Sequence, residues 1–261
     1  MLASVGTAFA ADRVDIWAVI EPDTGAVEGT MQWTVTNRTE VPLTEVLLFA
    51  YPEAYRADPD LPDILLERVY PSAFEAGGQS VHDASVTMDG TTSDVAVVLR
   101  EGEVPVFVVP LPVPLAPGGK TTVAFGFHTQ VPRKYGSFGR FRRMITLNGG
   151  LAPMPVDVAP DGTWLLNAAP PRTQKRVTLD MPAAWGGVVG GVVLEPRGGA
   201  VNVSTALNPA TSIAQVVPKA TTRFAQVALD ESEDRRRVEV FAEEARWTTI
   251  ALHRGRASTV H

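Results

Sequence analysis

Cysteine is absent from the 261 residues, which removes disulfide staples, thiolate metal sites and cysteine nucleophiles together. Histidine is scarce: His82, His128, His253 and His261 are the only four. His82 is followed by Asp83 and His253 by Arg254, and no two histidines stand one helical turn apart, so a zinc site within this chain is not expected. No stretch approaches the ~18 uninterrupted apolar residues of a membrane-spanning helix. Positive charge is also in deficit. The net charge is −6, and the basic runs Arg140 to Arg143 (broken by Phe141) and Arg235 to Arg237 are short, which leaves no electrostatic footprint for nucleic acid.

What is present is ordinary globular material, 45% hydrophobic and 20% charged. A chain of this length can bury ~70–75% of its unfolded surface. Leu2 to Ala10 is small and apolar, and Ala8-Phe9-Ala10 has the small-x-small form that signal peptidase accepts ahead of Ala11-Asp12. Residues 1–12 therefore read as a signal-peptide remnant or a frayed terminus, and the expected location is exported: periplasm, cell surface or medium. The basic flank of a full signal peptide is missing, since the first basic residue is Arg13.

Period-2 alternation dominates the rest. Along Val27 to Thr36, Val27, Met31, Trp33 and Val35 share one face while Glu28, Thr30, Gln32, Thr34 and Thr36 share the other, the pattern of a half-buried antiparallel strand. Val14 to Ile20 precedes it across Glu21-Pro22-Asp23-Thr24-Gly25, so the pair reads as a hairpin. Further strands are expected at Leu43 to Phe49, Ala84 to Met88, Asp94 to Leu99, Val104 to Leu111, Lys120 to Val131, Met144 to Leu147 and Lys175 to Leu179, with Asp89-Gly90 as a two-residue turn. Pro105, Pro110, Pro112 and Pro114 place their segment at an edge or a bulge. Tyr51 to Val81 is a long irregular section.

The expected fold is mainly β: an antiparallel β-sandwich or saddle-shaped sheet over residues 13–207, then a short β-rich segment and a terminal helix over 208–261. That last part holds strands at Ile213 to Val217, Phe224 to Leu229 and Arg237 to Phe241. From Ala242 onward, Trp247, Ile250, Ala251 and Arg254 follow three-four spacing, a narrow helical stripe with no partner left in the sequence.

The order of segments resembles the N-terminal domain of M1-type (gluzincin) zinc aminopeptidases. The phrases are VDIWAVIEPDTGAVEGTMQWTVTN, LTEVLLFAYPEAYR, LPVPLAPGGKTTVAFGFHTQVP, GSFGRF, LNGGLAPMPV with DGTW after it, and VTLDMPAAWGGVVGG, over about residues 13 to 242. No single phrase is diagnostic; the order is the signal. The resemblance implies a non-catalytic domain that packs beside a helical catalytic domain and forms one wall of its substrate cleft, with residues 208–261 as the start of that second domain. It further implies that zinc belongs to the catalytic domain, absent from this chain, that the partners are that domain and a peptide substrate, and that this chain alone carries no catalytic residue.

In that family an acidic or amide side chain near the substrate α-amine comes from the loop that ITLNGGLAPMPV occupies here. This sequence has Asn148-Gly149-Gly150 there, so the amine-binding role passes to no particular side chain, and the three residues stand as cleft candidates whose glycines permit close backbone approach. The competing expectation is an exported β-sandwich that binds a glycan or a protein and catalyses nothing.

Lesser signals have plainer readings. Asp58, Asp60, Asp63 and Glu67 are spaced for solvated loop acids, since Pro59 and Pro62 break a calcium-loop pattern. Tyr135 to Gly139 reads as a surface turn. Asn37-Arg38-Thr39 and Asn202-Val203-Ser204 match the glycosylation triplet. Against a sugar-stacking row of the five tryptophans, Trp33 lies on an apolar alternating face and belongs to the core.

Overall fold

A computed structural model describes residues 12–59, 62–189, 192–194, 224–231, 234–245 and 250–254. The expected strand at Ile213 to Val217, the second glycosylation triplet, His261 and most of the leader segment lie outside the described residues. In chain order the strands are β1 (Arg13–Glu21), β2 (Ala26–Thr36), β3 (Leu43–Phe49), β4 (Gly78–Met88), β5 (Thr91–Asp94), β6 (Val98–Arg100), β7 (Val106–Leu115) and β8 (Lys120–Gln130). They continue as β9 (Phe138–Phe141), β10 (Met144–Leu147), β11 (Met154–Pro155), β12 (Thr173–Pro182), β13 (Trp185–Val189), β14 (Val192–Leu194), β15 (Phe224–Glu231), β16 (Arg235–Ala245) and β17 (Ile250–Arg254). A 3₁₀ turn at Tyr51–Tyr55 and a short helix α1 (Asp63–Val69) fill the long irregular section.

These strands form three sheets. The largest runs β15-β16-β12-β1-β2-β8-β4-β5, a second β14-β13-β17-β10-β9, and a third β11-β3-β7-β6. Alternation along β1 and β2 decides which face is dry: Val14, Ile16, Ala18 and Ile20 point inward with Val27, Met31, Trp33 and Val35. One core joins the sheets, because these residues cluster with Val46, Leu48, Phe107 and Val109 of the third sheet and with Ile145, Leu147, Trp185, Ile250 and Leu252 of the second. The fold is mainly β with chiefly antiparallel pairing, as the sequence pattern implies; the exception is β1 beside β12, which run parallel from Arg13↔Gln174 to Val19↔Asp180.

The turn Asp89-Gly90 closes β4 on β5, with both residues at positive φ (49° and 80°), the geometry of a tight hairpin. Where β7 carries its prolines, the ladder with β3 shifts register between Leu43 and Glu45.

The terminal helix is the feature the structure overturns. Ala242 to Ala245 continue β16, where Ala242 pairs with Lys175 and Ala245 with Thr173 of β12. Ile250 to Arg254 is strand β17, hydrogen-bonded between β13 and β10. Three consecutive buried residues, Ile250, Ala251 and Leu252, reveal the reason. A strand covered on both faces shows an unbroken apolar run, which short sequence windows cannot tell from a helical stripe. Trp247 lies outside the described residues, and the rest of the stripe is not without a partner: Ala251 stands opposite Val188 on one side and Thr146 on the other. Likewise β15 and β16, from the block expected to open a second domain, extend the large sheet, and Val238 and Val240 share the common core.

Lys175 sits on the inward face of β12, opposite Val14 of β1. Burial pulls its ammonium pKa down to about 8 from the ordinary 10.5. Between those values the unfolded chain holds a proton that the folded chain has shed, so stability rises as pH rises through the window and is lost as pH falls through about 8. The slope is at most about 1.4 kcal/mol per pH unit. Burial lowers the Lys134 pKa in the same direction, so the informative quantity is a difference. Urea denaturation of the wild type and of Lys175→Met on either side of this window is expected to show a steeper pH dependence in the wild type. Equal slopes would mean that the folded site keeps Lys175 charged.

Candidate functional site

Three phrases far apart in sequence meet at one corner of the molecule: the 3₁₀ turn at Tyr51–Tyr55, the Lys134 to Phe141 segment with β9, and the turn after β10. Pro52 at the start of the 3₁₀ turn supplies a preset φ, and four-residue spacing brings Tyr51 and Tyr55 together. Their hydroxyls lie 2.6 Å apart and their rings meet edge to face at 5.5 Å. Phe138 packs against both, with centroids 5.9 Å from Tyr51 and 5.5 Å from Tyr55.

Lys134 closes this cluster from the other side. Its ammonium donates to the Phe138 carbonyl at 3.0 Å and stands 4.5 Å above the Tyr55 ring. Burial raises the Tyr55 pKa, helped by the hydrogen bond it shares with Tyr51, so that phenol stays neutral at physiological pH.

The turn Asn148-Gly149-Gly150 rests on the same ring. Gly149 has φ 72°, a conformation L side chains rarely adopt. Gly150 is buried against Phe138, and a Cβ there would collide with the ring. The Asn148 amide N–H donates to the Ser137 carbonyl at 3.0 Å, and its side-chain Oδ1 accepts from the Ile250 amide at 3.3 Å. Sequence reasoning thus placed the three residues on one turn. It missed that Asn148 is engaged with β17 and that Gly150 is required by Phe138.

Behind the turn, Gln79 Nε2 donates to Thr129 Oγ1 at 2.8 Å, and Thr129 Oγ1 donates to the Leu151 carbonyl at 3.2 Å. Glu53, inside the 3₁₀ turn, accepts from the Gln79 amide at 2.5 Å, which ties Tyr51 and Tyr55 to β4. Glu75 joins Arg140 at 2.6 Å, and Arg140 Nε donates to the Val131 carbonyl at 3.2 Å. The corner is therefore a rigid, largely aromatic ledge with Asn148 and Gly149 half exposed. Tyr51 and Tyr55 could have been flagged from their spacing inside the irregular section, but nothing local in the sequence points at Phe138 or Lys134.

The remaining candidates fall elsewhere. His128 bonds Glu28 at 2.5 Å on the face opposite Val123, Phe125 and Phe127, and His82 bonds its neighbour Asp83 at 2.9 Å. Among the described residues no group of three or more His, Asp or Glu side chains is placed to share a metal ion. Asp60 lies outside the described residues. No helix of the described residues is long and apolar enough to cross a membrane.

No protein-family model matches the chain. No curated protein matches it either. Among solved structures, an M1 zinc metallopeptidase from Deinococcus radiodurans is similar at 13% identity and TM-score 0.47, over 94% of this chain and 42% of that one. The same enzyme's variant bound to a Tyr-Ser-Ala substrate is similar at 12% identity and TM-score 0.46. A Legionella pneumophila protein provisionally described as nutrient-binding is similar at 10% identity and TM-score 0.39, over 94% of this chain and 67% of that one. The chain thus spans well under half the length of the metallopeptidase structures it is similar to.

Proposed function

We propose that this chain is the mainly β N-terminal part of an exported M1-like zinc metallopeptidase and contributes one wall of a peptide cleft whose zinc and catalytic residues lie in another part of the protein. The observation that supports this best is the convergence at the aromatic ledge. LTEVLLFAYPEAYR, GSFGRF and LNGGLAPMPV, three phrases that carry the resemblance, are separate in sequence and meet around Phe138. A ledge held by buried hydrogen bonds and ring contacts suits a wall that positions a substrate it does not transform, since catalysis requires reacting groups held in fixed geometry.

In this reading Asn148, Gly149 and Gly150 line the cleft through backbone groups and the exposed edge of the turn, and a zinc held by the catalytic domain would supply the activation of water. The four histidines of the chain contain no His-Glu-x-x-His, so the ligands must come from outside it.

The reading frame beyond His261 is expected to encode His-Glu-x-x-His with a later glutamate; a frame without them removes the peptidase reading. Residues 12–261 expressed alone are expected to bind no stoichiometric zinc and to leave leucyl anilide uncleaved. Tight one-to-one zinc, measured by metal analysis after dialysis, would contradict the ligand count.

A further inference from the structure

The large sheet has a second side that the proposed cleft does not use. On its outward face the rows Thr178, Trp17, Thr30, Gly126, His82 and Arg176, Asp15, Gln32, Ala124 run across β12, β1, β2, β8 and β4. They line an open groove of about 520 Å³. Trp17 is its large aromatic and is 40% exposed on a face of otherwise small or polar side chains.

Three features shape the groove. Thr30 and Gly126 make a low floor beside Trp17. At the far side, β4 breaks register against β8 between His82 and Ser85, and Asp83 takes φ 50°. This bulge re-aims the side chains, a device common beside binding sites. It lays the His82 ring over Gly126, in the space a Cβ would occupy. Trp17 and His82 are three strand spacings apart, about 14 Å between backbones, and the inward lean of His82 narrows the gap above Thr30.

The charges around this groove cancel in sum. Arg13 forms a two-pronged ion pair with Asp15 at 2.7 and 2.9 Å, Arg176 stands 3.9 Å from the same carboxylate, and Asp83 bonds His82 at 2.9 Å. Arg13 and Arg176 thus share Asp15 on one side while Asp83 lies on the other, and summed over the groove a charged ligand would meet no net surplus of opposite sign. An exposed indole for a C–H face, bordered by planar polar groups that exchange hydrogen bonds with hydroxyls, is complementary to an uncharged polyhydroxylated ring. We infer that the Trp17 groove binds a neutral oligosaccharide, with the sugar stacked on Trp17 and its hydroxyls bonded to Asp15, Gln32, His82 and Asp83. The site is independent of the aromatic ledge and of the peptidase reading.

The test uses the full chain and four neutral probes, cellohexaose, maltohexaose, laminarihexaose and chitohexaose, with hexagalacturonate as the charged comparison. Saturation-transfer NMR and calorimetry are expected to find at least one neutral probe bound, with a dissociation constant on the order of 0.1 mM for so open a site. Trp17→Ala weakens that binding about tenfold or more, Trp17→Phe retains most of it, and Thr30→Arg, which fills the floor without touching the indole, also weakens it. Because Trp17 and Thr30 point outward, all three variants keep the wild-type melting temperature. Absence of binding by all four neutral probes, binding unchanged in Trp17→Ala, or preference for hexagalacturonate overturns the inference.

Discussion

Deleting everything after Ala245 is expected to leave a chain that no longer unfolds cooperatively, even though the sequence pattern marks this end as the loosest. Strand β17 lies in the interior of the second sheet, with β13 on one side and β10 on the other. Its removal opens two sheet edges and uncovers Ile145, Leu147 and Trp185, which share its core. Ile250 and Leu252 are almost fully buried, and each contributes about 1.5–3 kcal/mol by transfer from water alone. Their sum, about 3–6 kcal/mol, reaches the lower end of the whole stability of an average domain, about 5–15 kcal/mol. The point variant Leu252→Ala is expected to cost about 2–5 kcal/mol. Arg254→Ala, which loses only an exposed 3.4 Å contact with Asp23, is expected to cost less than about 1 kcal/mol. Urea denaturation followed by tryptophan fluorescence checks all three. A truncated chain with wild-type midpoint and slope would show that β17 is an accessory strand, and fast amide exchange at Ile250 to Leu252 in the intact chain would say the same.

That expectation inverts the sequence reading, and the reason is physical. Strands buried on one face announce themselves: Val27 to Val35 alternates without a fault, and β2 ends one residue on at Thr36, which is itself buried. Met144–Leu147 was legible for the same reason, whereas Leu43–Phe49, whose last four residues are buried on both faces, was read from its short apolar run and not from alternation. Where both faces are covered, alternation disappears, and Ile250-Ala251-Leu252 carries no period to read. Ala242 to Ala245 adds a conflict of levels, since Ala and Glu favour helix locally while pairing with β12 holds them extended. The early part of β4 escaped because its bulge at His82 breaks the alternation. Parallel pairing of β1 with β12, more than 150 residues apart, leaves no local trace at all.

The candidate site divides along the same line. Asn148-Gly149-Gly150 was legible because glycine reports backbone geometry directly, and Gly149 does adopt a positive φ. The ring beneath Gly150 was not, because Phe138 reaches it only through the hairpin of β9 with β10. Trp17 and Trp33 show the two outcomes for one residue type: on adjacent strands, opposite sides of the pleat put one in the core and leave the other outside.

Asn37→Ala is expected to be the most damaging polar substitution discussed, at about 3 kcal/mol, because a single buried amide makes four hydrogen bonds. Its Nδ2 donates to the Leu115 carbonyl at 2.7 Å and the Val41 carbonyl at 2.9 Å, and its Oδ1 accepts from the Thr39 amide at 2.9 Å and the Thr39 hydroxyl at 2.8 Å. Its backbone is engaged as well, accepting from the Gly118 amide at 2.7 Å and donating to the Gly119 carbonyl at 2.9 Å. The residue therefore locks the end of β2 to the Leu115 to Gly119 turn between β7 and β8, across two sheets. Alanine leaves the Leu115 carbonyl and the Thr39 amide to be satisfied in a place water does not reach, since Asn37 is 1% exposed. Asn37→Asp separates the two halves of the interaction: a carboxylate still accepts from Thr39 but turns an oxygen toward the Leu115 and Val41 carbonyls, so it is expected to do no better than alanine at neutral pH. Thr39→Val, which keeps the amide and loses only the hydroxyl, is expected to cost about half as much. The same geometry decides the glycosylation triplet Asn37-Arg38-Thr39, whose acceptor nitrogen is committed to two carbonyls in the folded chain. Midpoints from urea denaturation of the three variants test the ranking, and an Asn37→Ala cost under about 1 kcal/mol would mean that the strand end relaxes enough to let water in.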